Sequence, residues 1–245
     1  MSPLRTFATA GRVLLQLLHD PRTVGLILIV PCILIALLKY VFDTQPSLFN
    51  HVAPLILGIF PLLMMFLVAS IATLRERKSG TLDRLLTMPM GKLDFIFGYA
   101  WAFALLALVQ AVVVSAVALG LLGVTVLGGA PSVVFAAVMA AFLGMALGLF
   151  VSAFATSEFQ AVELVMPILM PQILLCGLFA PRDHMAQVLQ WLTDVFPLTY
   201  SVDAMRQIAL HTTWTSQFVR DLLVVLGCTV VALILGSLTI RRHSN

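Results

Sequence analysis

The sequence has little charge. Only 10% of its 245 residues are charged, whereas 61% are apolar. A soluble globular domain carries roughly 25% charged and about 45 to 50% apolar residues, so a soluble domain is excluded, and so is a disordered chain. A membrane-crossing helix needs about 20 apolar residues, and this length and a mean hydropathy of +1.07 allow for six of them. The composition indicates an all-α polytopic membrane protein.

The sequence also lacks the motifs of several enzyme classes. It has no G-x-x-x-x-G-K-[ST] for binding ATP, because Gly91 and Lys92 are followed by Leu93. The H-E-x-x-H of metalloproteases and the G-x-S-x-G of hydrolases are missing too. We therefore predict that this chain is not an enzyme, and that any energy for its work comes from elsewhere.

Cysteine is scarce. Cys32, Cys176 and Cys228 are far apart and lie in apolar runs, so they predict neither a disulfide framework nor a metal site. The net charge of +3 is compatible with nucleic-acid binding. So few basic residues in so apolar a chain are better explained by orientation in a membrane, and we expect no nucleic-acid partner.

Six uninterrupted apolar stretches predict membrane spans at residues 23–42, 53–74, 95–117, 133–155, 161–180 and 222–240. Most of the 14 basic residues precede span one, lie between spans two and three, or follow span six. The positive-inside rule then places both termini in the cytoplasm. The long apolar run begins only after Pro21, with no cleavage site behind it, so span one is expected to be retained. The bias towards Ala, Val, Leu and Arg over Lys suggests a bacterium with GC-rich DNA, and the expected location is its plasma membrane.

Residues 1–22 predict an amphipathic helix in the cytoplasmic interface. Its apolar face is formed by Phe7, Ala10, Leu14, Leu17 and Leu18. Its polar face is formed by Arg5, Thr9, Arg12 and Gln16. The alternative is a soluble helix that packs on a partner subunit.

The cytoplasmic segment 75–94 combines a charged cluster, a glycine and a short helix. Thr81 is suited to cap that helix, Asp83 meets its positive end, and Pro89 ends it. A helix this short needs a surface to dock on, and its apolar face is formed by Leu82, Leu85 and Leu86. That surface is either a partner protein or, in an ordinary basic loop, the bilayer.

The external segment 181–221 contains two short amphipathic stretches, separated by Pro197. In the first stretch, apolar residues recur at the spacing of one helix face: Met185, Val188, Leu189, Leu192 and Phe196. In the second stretch, the apolar residues at this spacing are Val202, Met205, Ile208 and Ala209. Two such helices would lie on the outer leaflet or dip into it.

Both loop segments resemble type-2 ATP-binding-cassette (ABC-2) exporter permeases. The first resemblance rests on Glu76-Arg77-Lys78-Ser79-Gly80-Thr81-Leu82-Asp83-Arg84-Leu85-Leu86-Thr87-Met88-Pro89. The second rests on Gly177-Leu178-Phe179-Ala180-Pro181, Gln190-Trp191-Leu192 and the run from Phe196 to Arg206. Departures are Tyr99, where many relatives have Lys, and Phe196, where Asn is common. The resemblance covers essentially all of residues 1–245 as one permease domain.

The resemblance implies roles for both segments. A coupling helix that docks on an ATPase would use Arg75, Glu76, Arg77, Gly80, Thr81, Leu82, Leu85, Leu86 and Pro89. Re-entrant helices that close an outer gate would use Gly177, Phe179, Pro181, Pro197, Tyr200, Asp203 and Arg206. The implied partners are a dimer of cytosolic ATPases that bind ATP and Mg²⁺, a second identical or homologous permease, and membrane lipids.

Several side chains inside the spans are candidates for a substrate path, with packing or lipid contact as the alternative. They are Phe60, Met64, Phe66, Glu163, Met166, Met170 and Gln172. Two prolines each in spans two and five favour bending there, at Pro54, Pro61, Pro167 and Pro171. Small residues at every fourth position of span four predict close helix packing, at Ala136, Ala140, Gly144, Gly148 and Ser152.

The function expected from these features is export of hydrophobic or amphiphilic small molecules by an ATP-driven transporter. Methionine-rich spans suit such bulky, varied cargo. Export of lipid or polysaccharide by the same architecture is an alternative. A passive channel or membrane scaffold without an ATPase is a more remote one.

Overall fold

The computed structural model describes residues 3–78 and 92–239. Within these ranges the chain is helical and contains no β-strand. The helices described are α1 Pro3–Leu18, α2 Pro21–Val41, α3 Pro46–Lys78, α4 Lys92–Ala116, α5 Ala130–Ser152, α6 Glu158–Glu163, α7 Val165–Leu175, α8 Gln187–Val195, α9 Pro197–Leu210 and α10 Ser216–Thr239. Helix α4 continues as a short π-helix, Val117–Leu121, and a 3-10 turn covers Arg182–His184.

Six stretches of the described residues are long and apolar enough to cross a membrane, which confirms the predicted number. Their ends differ from the prediction. Helix α3 extends well beyond 53–74, because each residue added to an existing helix gains a backbone hydrogen bond whether or not its side chain is apolar. Helix α2 begins at Pro21, where Asp20 accepts hydrogen bonds from the backbone and hydroxyl of Thr23.

Span five is the least regular of the six. It consists of α6 and α7, which meet at Leu164, and it ends at Leu175, so the prediction that it continues to residue 180 is wrong. The chain turns at Gly177, whose φ of +88° favours glycine over residues with a side chain. Pro171 lies inside α7.

Helices α3, α4 and α5 form the centre of the bundle. At least half of each central span is buried, against 17% for span one, 22% for span five and 28% for span six. Gly144 and Gly148 of α5 bring its backbone against α3, because a Cβ at Gly144 would overlap the carbonyl oxygen of Leu62, and one at Gly148 that of Phe66. The small residues of span four thus pack inside the subunit, as the sequence predicted.

Helix α1 packs along α4. Thr9, predicted to be on a free polar face, is 6% exposed, because it fits against Gly98: a Cβ there would lie 2.7 Å from the Cβ of Thr9. Ala10 and Val13 are buried in the same contact, whereas Gln16 is exposed. The predicted polar face is therefore wrong at Thr9, and α1 is joined to the spans by its own packing.

Candidate functional site

The charged end of α3 meets the first helix at a buried carboxylate. Arg12 of α1 donates from Nη1 to Oε1 of Glu76 and from Nη2 to the hydroxyl of Tyr99 on α4, each at 3.1 Å. Glu76 is only 4% exposed. A buried charge is costly unless it is paired and hydrogen-bonded, so this contact fixes the relative positions of α1, α3 and α4. We call this side of the molecule the basic end.

The two neighbours of Glu76 contact other helices. Arg75 donates from Nε and Nη2 to the carboxylate of Glu158 on α6, both at 2.9 Å, and its Nη1 lies 3.7 Å from Asp20. Arg77 donates to the carbonyl of Ser152, the last residue of α5. Consecutive residues of a helix point about 100° apart, so three adjacent side chains reach α1, α6 and α5.

The sequence singles out Arg75, Glu76 and Arg77 but not two of their partners, Arg12 and Tyr99. The sequence pattern places Arg12 on a solvated face, and it marks Tyr99 only as a departure from relatives. The remaining residues predicted for coupling lie outside the described residues: Gly80, Thr81, Leu82, Leu85, Leu86 and Pro89.

A cleft of about 470 Å³ opens next to this charge cluster, between α1, α2, α3 and the start of span five. We call it the basic-end cleft. Its walls are apolar and come mainly from Leu26, Ile27, Met64, Leu67, Val68 and Ile71. Its rim is polar and includes Gln16, Asp20, Thr23, Arg75, Glu76 and Tyr99. An apolar body with a few polar groups at one side suits an amphiphilic ligand.

Of the residues predicted for a substrate path, Met64 lines this cleft. Phe66 is fully buried against α5, and Gln172 is buried with its amide donating to the carbonyl of Ile168. Phe60 and Met170 are partly buried, and Glu163 and Met166 are exposed on span five. The structure therefore does not bring this set together around one space within the chain.

At the opposite end, which we call the far end, Asp203 of α9 pairs with two arginines. Its Oδ2 lies 2.7 Å from Nη2 of Arg182, and its Oδ1 accepts from Nη1 of Arg206 at 3.1 Å. Arg206 also donates from Nη2 to the carbonyl of Gly177 at 3.0 Å. We call Gly177, Arg182, Asp203 and Arg206 the Asp203 cluster. It joins the chain after span five to α9.

The other residues predicted for an outer gate surround this cluster. Pro197 is the first residue of α9, Pro181 precedes the 3-10 turn, and Phe179 is 70% exposed. The hydroxyl of Tyr200 donates to the carbonyl of Asp194 at 2.7 Å. Burial, and then the nearby Asp194 carboxylate, raise the pKa of Tyr200 above its ordinary value, so its hydroxyl stays protonated as a donor at neutral pH.

Asp203→Asn is expected to destabilise the protein by about 2 kcal/mol, because two partly buried guanidinium groups lose their shared counter-ion. Thermal unfolding of the purified protein in detergent measures the effect. Asp194→Asn is the matched control, since that side chain is 66% exposed and lies 4.0 Å from Arg182. It is expected to change stability by less than about 0.5 kcal/mol. Equal losses in both variants would contradict a structural role for the cluster.

Comparison with known families identifies the protein family of the chain that carries these two ends. The family described as "ABC-2 type transporter" matches residues 5–210, which is well over half of the chain. This chain belongs to the ABC-2 type transporter family. The match takes in both the contacts of Arg12 with Glu76 and Tyr99 and the whole Asp203 cluster. This family member is thus a transmembrane permease component of the ABC transporter class.

Individual proteins that resemble this ABC-2 family member are also described as transporters or permeases. It is 30% identical over 159 residues to "Probable multidrug ABC transporter permease YbhR" of Escherichia coli (strain K12), covering 65% of this chain and 43% of that protein. It is 31% identical over 165 residues to "Inner membrane transport permease YhhJ" of the same organism, covering 65% and 42%. "ABC transporter G family member 20" of Dictyostelium discoideum is 29% identical over 143 residues, covering 58% and 20%. The ABC-2 chain thus spans less than half the length of these curated relatives.

Proposed function

We propose that the chain is the permease subunit of an ATP-driven exporter that moves hydrophobic or amphiphilic small molecules out of a bacterial cell. The basic-end cleft supports this proposal most directly, because its apolar walls and polar rim match that cargo class. The name of one relative, a probable multidrug permease, points the same way. Both termini are proposed to be cytoplasmic, which makes the basic end the inner end.

The energy is proposed to come from a dimer of ABC ATPases in separate subunits, which bind ATP and Mg²⁺. They would dock on the segment after Lys78, and a second identical or homologous permease would complete the transporter. Arg75, Glu76 and Arg77 support this route. They join the end of α3, from which the docking segment continues, to α6, α1 and α5. A push on that segment would therefore reach three helices through α3.

Transport by this route requires two conformations whose balance shifts when nucleotide binds. Span five suits such a change, because it is broken at Leu164 and little of it is buried. At the far end, the Asp203 cluster holds the chain after span five against α9. We propose that it closes the outer end of the path and separates from Gly177 when cargo leaves.

Lipid or polysaccharide export is the alternative within this architecture. A linear polysaccharide requires a continuous polar path, whereas the cleft walls are apolar, and this favours small amphiphiles. A passive channel or scaffold without an ATPase is a separate hypothesis. It would be supported if no nucleotide-binding subunit co-purified with the chain.

The experiment that tests the cargo class combines deletion with a substitution in the cleft. Loss of the gene is expected to raise susceptibility to amphiphilic drugs and to slow efflux of ethidium, an aromatic cation. Wild-type protein restores both. Ala72→Phe is expected to lower efflux at least about fivefold, because the added ring occupies the binding space between the cleft walls.

The matched control is Ala116→Phe, the same substitution at an exposed position of α4 that is not part of the cleft. It is expected to restore resistance as well as the wild type does. Full restoration by Ala72→Phe, at equal amounts of folded protein, would exclude the cleft from the substrate path. Unchanged drug susceptibility after deletion would count against the cargo class.

A further inference from the structure

The far end carries a second cleft, of about 290 Å³, whose lining shares Arg206 with the Asp203 cluster. We call it the far-end cleft. It lies between the first turns of α3, the loop before α5 and the end of α9. Its polar lining comes from Ser47, Asn50, His51, Thr125 and Arg206. These lining residues include no carboxylate.

The polar groups of the far-end cleft are arranged to donate hydrogen bonds. Oδ1 of Asn50 accepts the backbone N–H of Thr125 at 3.1 Å, which leaves the amide Nδ2 of Asn50 as a donor. Ser47 contributes a hydroxyl, and His51 an exposed ring. Guanidinium and amide donors without a competing carboxylate favour an oxyanion such as phosphate or carboxylate.

Arg206 supplies positive charge to the cleft and has a carboxylate partner that a second arginine also contacts. Its carboxylate partner Asp203 is shared with Arg182, and the side chains of the two arginines are only 26% and 24% exposed. Two further carboxylates lie near Arg182: Asp194, which is 66% exposed and 4.0 Å away, and the buried Asp221, which pairs with Arg220. Among the described residues, Asp203 is the one carboxylate within 4 Å of Arg206, and Arg182 shares it. An anion beside Arg206 would therefore add a second negative partner for its guanidinium group.

The helix ends at the far-end cleft favour the same ligand charge. Helix α3 begins here with no acidic residue in its first turn, so its positive end lies in the cleft region. Helix α9 ends here too, and its terminal carbonyls would oppose an anion. Two of them, those of Ile208 and Ala209, already accept the backbone N–H groups of Gly128 and Leu127, which weakens that opposition.

We propose that the far-end cleft binds a phosphate or carboxylate group through Arg206, Asn50 and His51. The bound group would share Arg206 with Asp203 and with the carbonyl of Gly177. It would stabilise the folded chain, as does any ligand that binds only the native state. The ligand is either a free anion or the phosphate of a lipid headgroup. This proposal does not depend on the cargo or on an ATPase.

Calorimetric titration of the full chain with inorganic phosphate tests the proposal. The protein is held in nanodiscs of phosphatidylcholine, at an ionic strength of about 0.15 M to screen distant charges. Saturable binding is expected for the wild type. His51→Glu is expected to weaken it at least about tenfold, by placing a negative charge in the cleft. The matched control, His184→Glu, adds the same charge at an exposed site outside the cleft and is expected to leave binding within about twofold.

A second variant distinguishes loss of phosphate binding from damage to the fold. Asn50→Asp keeps the oxygen that accepts from Thr125 but replaces the donor with a carboxylate oxygen. It is expected to abolish phosphate binding without lowering the unfolding temperature. Repeating the titration with phosphatidylglycerol in the nanodiscs separates the two sources of the ligand. If that lipid blocks phosphate binding, the ligand is a lipid headgroup; if binding persists, it is a free anion.

Two results would overturn the proposal. One is the absence of saturable phosphate binding to the wild type in phosphatidylcholine nanodiscs, together with no increase in thermal stability in phosphatidylglycerol nanodiscs. The other is phosphate binding that His51→Glu and Asn50→Asp leave unchanged. Since neither measurement involves transport, failure here would leave the proposed exporter function untouched.

Discussion

Gly144→Ala is expected to destabilise the protein by about 3 kcal/mol or more, the upper range for an overpacked core. The added methyl would overlap the carbonyl oxygen of Leu62 and lie 2.7 Å from its carbonyl carbon. Both atoms belong to the backbone of α3, so no side chain can move aside to make room. The two central helices would have to separate. Thermal unfolding in detergent and the yield of monodisperse protein measure the effect.

The control for this prediction is Gly227→Ala, the same change within α10. A Cβ at Gly227 would have no atom within 4 Å. There, alanine is expected to be neutral or to stabilise the helix by up to about 1 kcal/mol. Of the two substitutions, only Gly144→Ala should therefore lower the unfolding temperature. Similar unfolding temperatures for both would mean that α3 and α5 are not in close contact at Gly144.

Replacing Leu82, Leu85 and Leu86 together with serine is expected to detach the ATPase and abolish transport. Burying one leucine contributes about 1.5 to 3 kcal/mol. Loss of three at one docking surface should weaken the complex by at least about a hundredfold. Co-purification of the ATPase with the tagged permease, and drug efflux in cells, are the two measurements. The protein should still insert and remain folded, as judged by its unfolding temperature.

Replacing the same three leucines with methionine provides the control, because methionine keeps the face apolar and of similar size. That variant is expected to retain the ATPase and most of the transport. Undiminished co-purification and efflux with the serine variant would refute the docking role. Alanine at Glu76 and Arg77 is a less clear test of coupling. Both side chains contact neighbouring helices within the chain, so their loss would also disturb the fold.

The spans were predictable because uninterrupted apolar runs of about 20 residues are typical of helices that cross a bilayer. Their ends were not, since helices continue into polar sequence for as long as backbone hydrogen bonds form. Span five was predicted to end at residue 180, but the backbone turns at Gly177. Its φ value is not visible in the sequence, where a glycine within an apolar run reads as part of the span.

The partners of the charged residues could likewise be predicted only in part from the sequence. The sequence marks Arg75, Glu76 and Arg77 because they are charged and adjoin a span. Finding Arg12 and Tyr99 beside them requires the packing of α1 on α4, and that depends on the fit of Thr9 against Gly98. At the far end, family resemblance selects Gly177, Asp203 and Arg206. Arg182 joins them only through the turn after span five.

The three successive contacts at the end of α3 also restrict how the gene can change. Inserting or deleting one residue just before Arg75 would rotate all three side chains by about 100°. The contacts of Arg75 with α6, of Glu76 with α1 and of Arg77 with α5 would then be lost together. No single compensating mutation could restore all three contacts. Length variation between homologues should therefore be excluded from the last turn of α3.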